Sequence, residues 1–193
     1  MKAIPAALAA LTLIAMPVLA GCTATTTPAT SPASASPSTS AVAFNDADAM
    51  FASMMIPHHE QAIEMSDMIL SKEGVDQRVI TLAEQIKAAQ APEIATLRGW
   101  LSAWNVNESG MSHGGHDGGM MSDGDLAALK AASGAEASRL FLGQMIVHHE
   151  GAVTMAQSEV DGGQNPDAIA LAREIIAAQT TEIQTMRDLL TAL

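Results

Sequence analysis

One helical word occurs twice in this chain, and that repetition limits the fold more than any other feature. Phe51, Met55, His58, His59, Glu60, Ala62 and Met65 recur in order, at one fixed interval, as Phe141, Met145, His148, His149, Glu150, Ala152 and Met155. Further along, Ile86, Ala89, Gln90, Glu93, Ile94 and Arg98 return about one residue out of that register as Ile175, Ala178, Gln179, Glu182, Ile183 and Arg187. The repeated unit is therefore a pair of helices. A period of about ninety residues is too long for the common solenoids, and two copies joined by a long connection predict one all-α domain, a four-helix bundle made of two hairpins.

Turn and cap residues place the elements. Asn45 or Asp46 caps a first helix that runs to about Leu70, with Gly74 beyond its end. Asp76 opens a second helix that reaches Trp104; a short one starts at Ser122 or Asp123; a long one spans about Ala135 to Val160; and Pro166 after Asn165 begins the last. Strand signals are missing. Pro57 and Pro92 fall inside the first two helices and should kink or loosen them, whereas Val147 and Thr181 stand at the matching places of the second copy.

The ends of the chain speak to location. Lys2, an apolar run from Ala6 to Ala20 and the sequence Leu19-Ala20-Gly21-Cys22 predict a lipoprotein signal peptide over residues 1–22, with the single cysteine, Cys22, as the lipid attachment point. Residues 23–44 are almost wholly Ser, Thr, Pro and Ala, a composition that cannot bury enough apolar surface to order itself, and are read as a disordered tether. The expected product is an extracytoplasmic domain, residues 45–193, held to a membrane through lipid on Cys22. A net charge of −12 leaves no basic stripe for phosphates, which excludes nucleic acid as a partner.

Four of the six histidines lie in the two repeated words. At 100° per residue, Met55, His59 and Ala62 centre the apolar stripe of the first helix, with His58 and Met65 at its flank, and Met145, His149, Ala152, His148 and Met155 repeat the pattern. Met54 and Met68 lie further round and have no counterpart in the second copy. Glu93 and Glu182 fall within the apolar stripes of the second and last helices, where a carboxylate needs a cation, a donor or a metal. They are read as direct ligands, as acceptors that orient His59 and His149, or as members of a structural ion pair, the second reading being favoured.

Imidazole and thioether together suit copper, since sulfur favours Cu(I), imidazole takes Cu(I) and Cu(II), and few competing metals accept thioether. The candidate metal residues are Met55, His58, His59, Met65, Met145, His148, His149 and Met155. Between the hairpins, the segment 105–122 carries Met111, His113, His116, Met120 and Met121 among glycines and is read as an auxiliary copper loop. Two other readings stand beside copper. One is a dinuclear iron or manganese oxidoreductase, which the bundle and its interior carboxylates would allow but which lacks the Glu-x-x-His word. The other is a structural or interaction bundle, since methionine at helical spacing commonly fills cores. No nucleophile with a plausible triad and no phosphate loop is present, so a non-enzymatic role, with an unidentified copper-transfer partner, is favoured over catalysis.

The words Met54-Met55-Ile56-Pro57-His58-His59-Glu60-Gln61-Ala62 and Met145-Ile146-Val147-His148-His149-Glu150-Gly151-Ala152, with Gln90, Glu93 and their second-copy partners, resemble the bacterial family called domain of unknown function 305. The resemblance covers essentially the whole domain after the tether. It implies a ferritin-like four-helix bundle, a secreted or lipid-anchored location and, for some members, periplasmic copper binding and copper tolerance. Carried onto this chain, it implicates Met55, His58, His59, Met65, Met145, His148, His149 and Met155.

Overall fold

A computed structural model describes residues 43–108 and 118–193. The expected signal segment, Cys22, all but the last two residues of the expected tether, and Met111, His113 and His116 lie outside the described residues. Among the described residues the protein is all-α: α1 (Asp46–Leu70), α2 (Gln77–Trp104), α3 (Asp123–Ala131), α4 (Gly134–Gly162) and α5 (Pro166–Ala192).

Each start has a local cause. Asn45 accepts from the Ala47 and Asp48 amides while the Asp48 carboxylate accepts from the Asn45 amide at 2.6 Å, a reciprocal cap. Ser122 and Asp125 repeat that device for α3, Asp76 accepts from the Arg78 amide for α2, and Asn165 accepts from Asp167 and Ala168 for α5. Such caps contribute about 1 kcal/mol each. α2 ends where Asn105 turns into the left-handed region, at φ 56°. Pro57 and Pro92 sit inside α1 and α2, and both helices continue through them.

α1 packs on α2, α4 on α5, and the two hairpins meet along α1 and α4. Two apolar clusters fill the ends of the bundle. One joins Met65 and Ile69 of α1, Val79, Leu82 and Ile86 of α2, Phe141 and Met145 of α4, and Met186 of α5. The other joins Phe51 and Met55, Leu97 and Leu101, Ala152 and Ala156, and Ile175. Each large side chain buried there contributes about 1.5–3 kcal/mol. Both repeated His-His pairs fall between the clusters along α1 and α4, so the bundle has apolar ends and a polar waist.

α3 belongs to one end only. Its Leu129 is fully buried in the Met65 cluster, and Lys72 ties down its C-terminus by donating to the Lys130 and Ala132 carbonyls, each at 2.8 Å. At the other end Phe44, the last residue of the expected tether, stacks on Trp104 with ring centroids 4.8 Å apart. No helix among the described residues is long and apolar enough to cross a membrane.

Candidate metal centre

His58, His59, His148 and His149 are all buried, none more than 1% exposed. Two adjacent helix positions are 100° apart, so in each pair one ring points across to the other hairpin while the next points at the partner helix within its own hairpin. His58 and His148 meet across α1 and α4, ring centroids 3.7 Å apart and planes tilted by 37°. His59 Nε2 lies 2.7 Å from Glu93 Oε2, and His149 Nε2 lies 2.7 Å from Glu182 Oε2. The two hairpins thus reproduce the same contact, with each glutamate side chain 21% exposed, further out than the middle of an apolar stripe.

Those contacts fix the tautomers. A carboxylate or carbonyl oxygen only accepts, so His59 and His149 carry their ring proton on Nε2, and His58, whose Nε2 donates to the Gly118 carbonyl at 2.8 Å, does the same. In the neutral ring the opposite nitrogen, Nδ1, keeps a lone pair. In all three rings Nδ1 is buried and has no hydrogen-bond partner, and in His148 neither nitrogen has one of acceptable geometry. A buried polar atom without a partner costs about 1–3 kcal/mol, so these lone pairs suit a ligand role better than a structural one. Burial, only partly offset by the Gly118 carbonyl, and the nearby His59 and His149 hold the His58 pKa down to about 3. Burial, followed by the charges of His58, His149 and His59, drives His148 well below its ordinary value as well, despite some return from the His58 backbone. Both rings are neutral at ordinary pH, the state in which imidazole binds a metal.

The sulfur atoms are divided. Met55, Met65 and Met145 are fully buried, Met55 in one apolar cluster and Met65 and Met145 in the other, while Met155 is part-exposed against the first. Met121 packs on the Met65 cluster, and its backbone is held at both ends by the Gln61 amide, at 2.7 and 3.0 Å; Met120 is half-buried beside it. Among the described residues no three His, Cys, Asp or Glu side chains gather as a ready cation site. A metal held here by imidazole would need thioether, a loop donor or the second hairpin to complete its shell.

Several residues around this centre carry signals that helical phase alone does not resolve. Glu60 and Glu150 point outward and pair with Arg98 and Arg187, a second duplicated contact. Gln90 and Gln179 are buried, 3% exposed, one turn before the glutamates, each with an unpartnered Oε1; the repeated Ala-Ala-Gln word is the sequence trace of that pair. Gly151 stands where the first copy has Gln61, and there the backbone at Gly118 passes so close that a Cβ on residue 151 would lie 1.9 Å from the Gly118 oxygen. Gly119, with φ 76°, makes the same passage past the Val147 carbonyl.

Comparison with known proteins agrees with this architecture. A DUF305 protein from Streptomyces coelicolor, described as a candidate secreted protein, is 34% identical with TM-score 0.70, covering 76% of this chain and 91% of its own. A DUF305 fragment from Deinococcus radiodurans is 30% identical with TM-score 0.71, covering 77% and 98%. CopM in a Cu(II)-bound form is 32% identical with TM-score 0.65, covering 75% and 96%, and it has also been solved with Cu(I) and with Ag. Among curated proteins none matches. The family model described as domain of unknown function (DUF305) matches residues 48–190, and the chain belongs to that family.

Proposed function

We propose that this domain binds copper at its waist, on the outer side of a membrane to which lipid on Cys22 would hold it, and that it sequesters the ion or passes it on. The supporting observation is the set of buried imidazole nitrogens without a hydrogen-bond partner, in rings oriented by Glu93, Glu182 and Gly118. His58, His59, His148 and His149 would supply nitrogen, and Met55, Met145, Met65 and Met155 are the thioethers available to complete a soft shell. Glu93 and Glu182 would hold their rings in one tautomer and raise the basicity of the free nitrogen. Copper is cargo in this reading, and no reaction is assigned to it. Iron and manganese prefer oxygen-rich shells, and the two interior glutamates are already engaged with imidazole. CopM, solved with Cu(II), Cu(I) and Ag, supports the choice of metal.

Titrating the full chain with Cu(I) and with Cu(II), beside a His58→Asn/His148→Asn variant whose fold is checked by circular dichroism, tests the reading. The expected result is weaker binding in the variant for both oxidation states. Equal affinity and stoichiometry in the two proteins would overturn it.

A further inference from the structure

Three methionines converge outside the histidine waist. Met50 and Met54, four residues apart on α1, and Met155 on α4 line, together with Phe51 and Glu159, a cleft of about 240 Å³. Met50 is 50% exposed, so it is not filling a core. At the matching places of the second copy stand Leu140 and Gln144, and the counterpart of Met155, Met65, is sealed at 0% exposure in the cluster that α3 helps to cover. The trio therefore exists at one end of the bundle only. A core-packing role would apply to both ends alike.

One of the three also lies next to the waist. A Cβ on Gly118 would stand 3.6 Å from the Met155 sulfur, and the carbonyl of the same Gly118 accepts the proton of His58 Nε2. Gly118 thus touches both the Met155 sulfur and a buried imidazole. Methionine is unbranched with three rotatable bonds, so the three sulfurs lining the cleft are free to turn toward a shared ion. Thioether is neutral and soft, which selects a monovalent cation of the Cu(I) or Ag(I) type against Cu(II) and the divalent metals.

We propose that Met50, Met54 and Met155 form a separate thioether site for a soft monovalent cation, and that this site admits the ion to the waist. The binding claim stands on the cleft alone; the admitting role rests on the copper reading of the histidines. No electron or proton is transferred, because the ion keeps its oxidation state and thioethers carry no proton.

Silver is the suitable probe, since it does not change oxidation state. Full-length protein labelled with ¹³C at the methionine methyls is titrated with Ag(I), beside a Met50→Leu/Met54→Leu variant, a near-isosteric change at the surface. The methyl signals of Met50, Met54 and Met155 are expected to shift together, and the variant to bind one equivalent less. Unchanged stoichiometry in the variant, or Met50 and Met54 signals that stay still while silver binds, would overturn the site. Repeating the titration on His58→Asn/His148→Asn separates the two claims. Methyl shifts that persist there keep the cleft even if the waist reading fails, and their loss would mean that the trio is not an independent site. For the admitting role, the Leu variant should load the waist with Cu(I) more slowly than the natural chain; an equal rate would overturn that role.

Discussion

At the end of the bundle that holds Met65, α3 lies over the apolar cluster, buries Leu129 in it and leaves Met65 sealed, while at the other end the matching Met155 opens to a cleft. Yet the same linker contact exists at both. The Asn165 amide donates to Asp48 Oδ1 at 2.8 Å at one end, and the Asp76 amide donates to Ser138 Oγ at 3.2 Å at the other. Asp48 and Ser138 are the same position of the repeat, and Asp76 and Asn165 are the matching caps. Duplication has thus kept what the hairpins need from each other and, within each hairpin, the His–Glu contact at 2.7 Å, and has let go of the positions that face the added segments.

The largest effect that could break this comparison is a cavity. Met65→Ala empties a sealed site and should cost about 2–5 kcal/mol in urea unfolding of the metal-free protein. Met155→Ala, at a side chain already open to the cleft, should cost on the order of 1 kcal/mol. Equal losses would show that α3 does not make the ends different. Next in size is Gly151→Ala, which drives a Cβ into the Gly118 carbonyl and should cost about 1–3 kcal/mol. It should also disturb the hydrogen bond of His58 Nε2, read by proton NMR of the ring. The reverse change, Gln61→Ala, only frees the Met121 backbone and should leave that ring signal in place.

How much of this was legible beforehand follows from what helical phase can tell. Phase and caps place five helices to within a few residues, because Asn45, Asp76, Ser122 and Asn165 are local signals acting on local backbone. Phase also puts His59 and Glu93 on inner stripes. It does not give the crossing of α1 on α4, so the His58–His148 contact could not be read, nor could the meeting of Gly118 with His58 from a segment sixty residues away. Glu159 shows the same limit: its burial beside Asp48 depends on two helix ends far apart in sequence, and its own helix pattern presents it as an ordinary acid.

That Asp48–Glu159 pair has no equivalent at the other end, where Ser138 and Ile69 occupy the matching positions, so the two ends should differ in pH response. Burial, then the neighbouring Asp48 carboxylate, pushes the Glu159 pKa from 4.5 up to about 8. Burial by itself would raise Asp48 too, but bonds from the Asn45 and Asn165 amides, from Glu159 and from the Gln164 amide hold it below its ordinary value. The folded chain binds the Glu159 proton more tightly than the unfolded chain, so its contribution is complete below pH 4.5 and drains away as pH rises toward 8. For His58 and His148 the folded pKa is lowered, so stability is lost as pH falls below 6.5. Between pH 4.5 and 6.5 two histidine protons outweigh one glutamate proton, and above 6.5 the glutamate proton prevails. The metal-free Tm should peak near pH 6.5, and the alkaline decline carries at most one proton, about 1.4 kcal/mol per pH unit. Glu159→Gln should flatten that limb and leave the acid limb; an unchanged alkaline limb would remove Glu159 as its source.

The smallest difference lies on the outer faces. Arg187 pairs with Glu150 at 2.7 Å, whereas Arg98 pairs with Glu60 and also reaches Glu108, past the end of α2, at 3.3 Å. All of these side chains are roughly half exposed, so each pair contributes about 0–1 kcal/mol and is screened by salt. The second carboxylate gives Arg98 a reason to matter more: it anchors the start of the segment that returns to the waist at Gly118. Arg98→Met should therefore destabilise slightly more than Arg187→Met at low ionic strength, and the gap should close at about 1 M salt, where charges act over only about 3 Å. A gap that survives high salt would locate the asymmetry in the packing of the arginine stem and not in the extra charge.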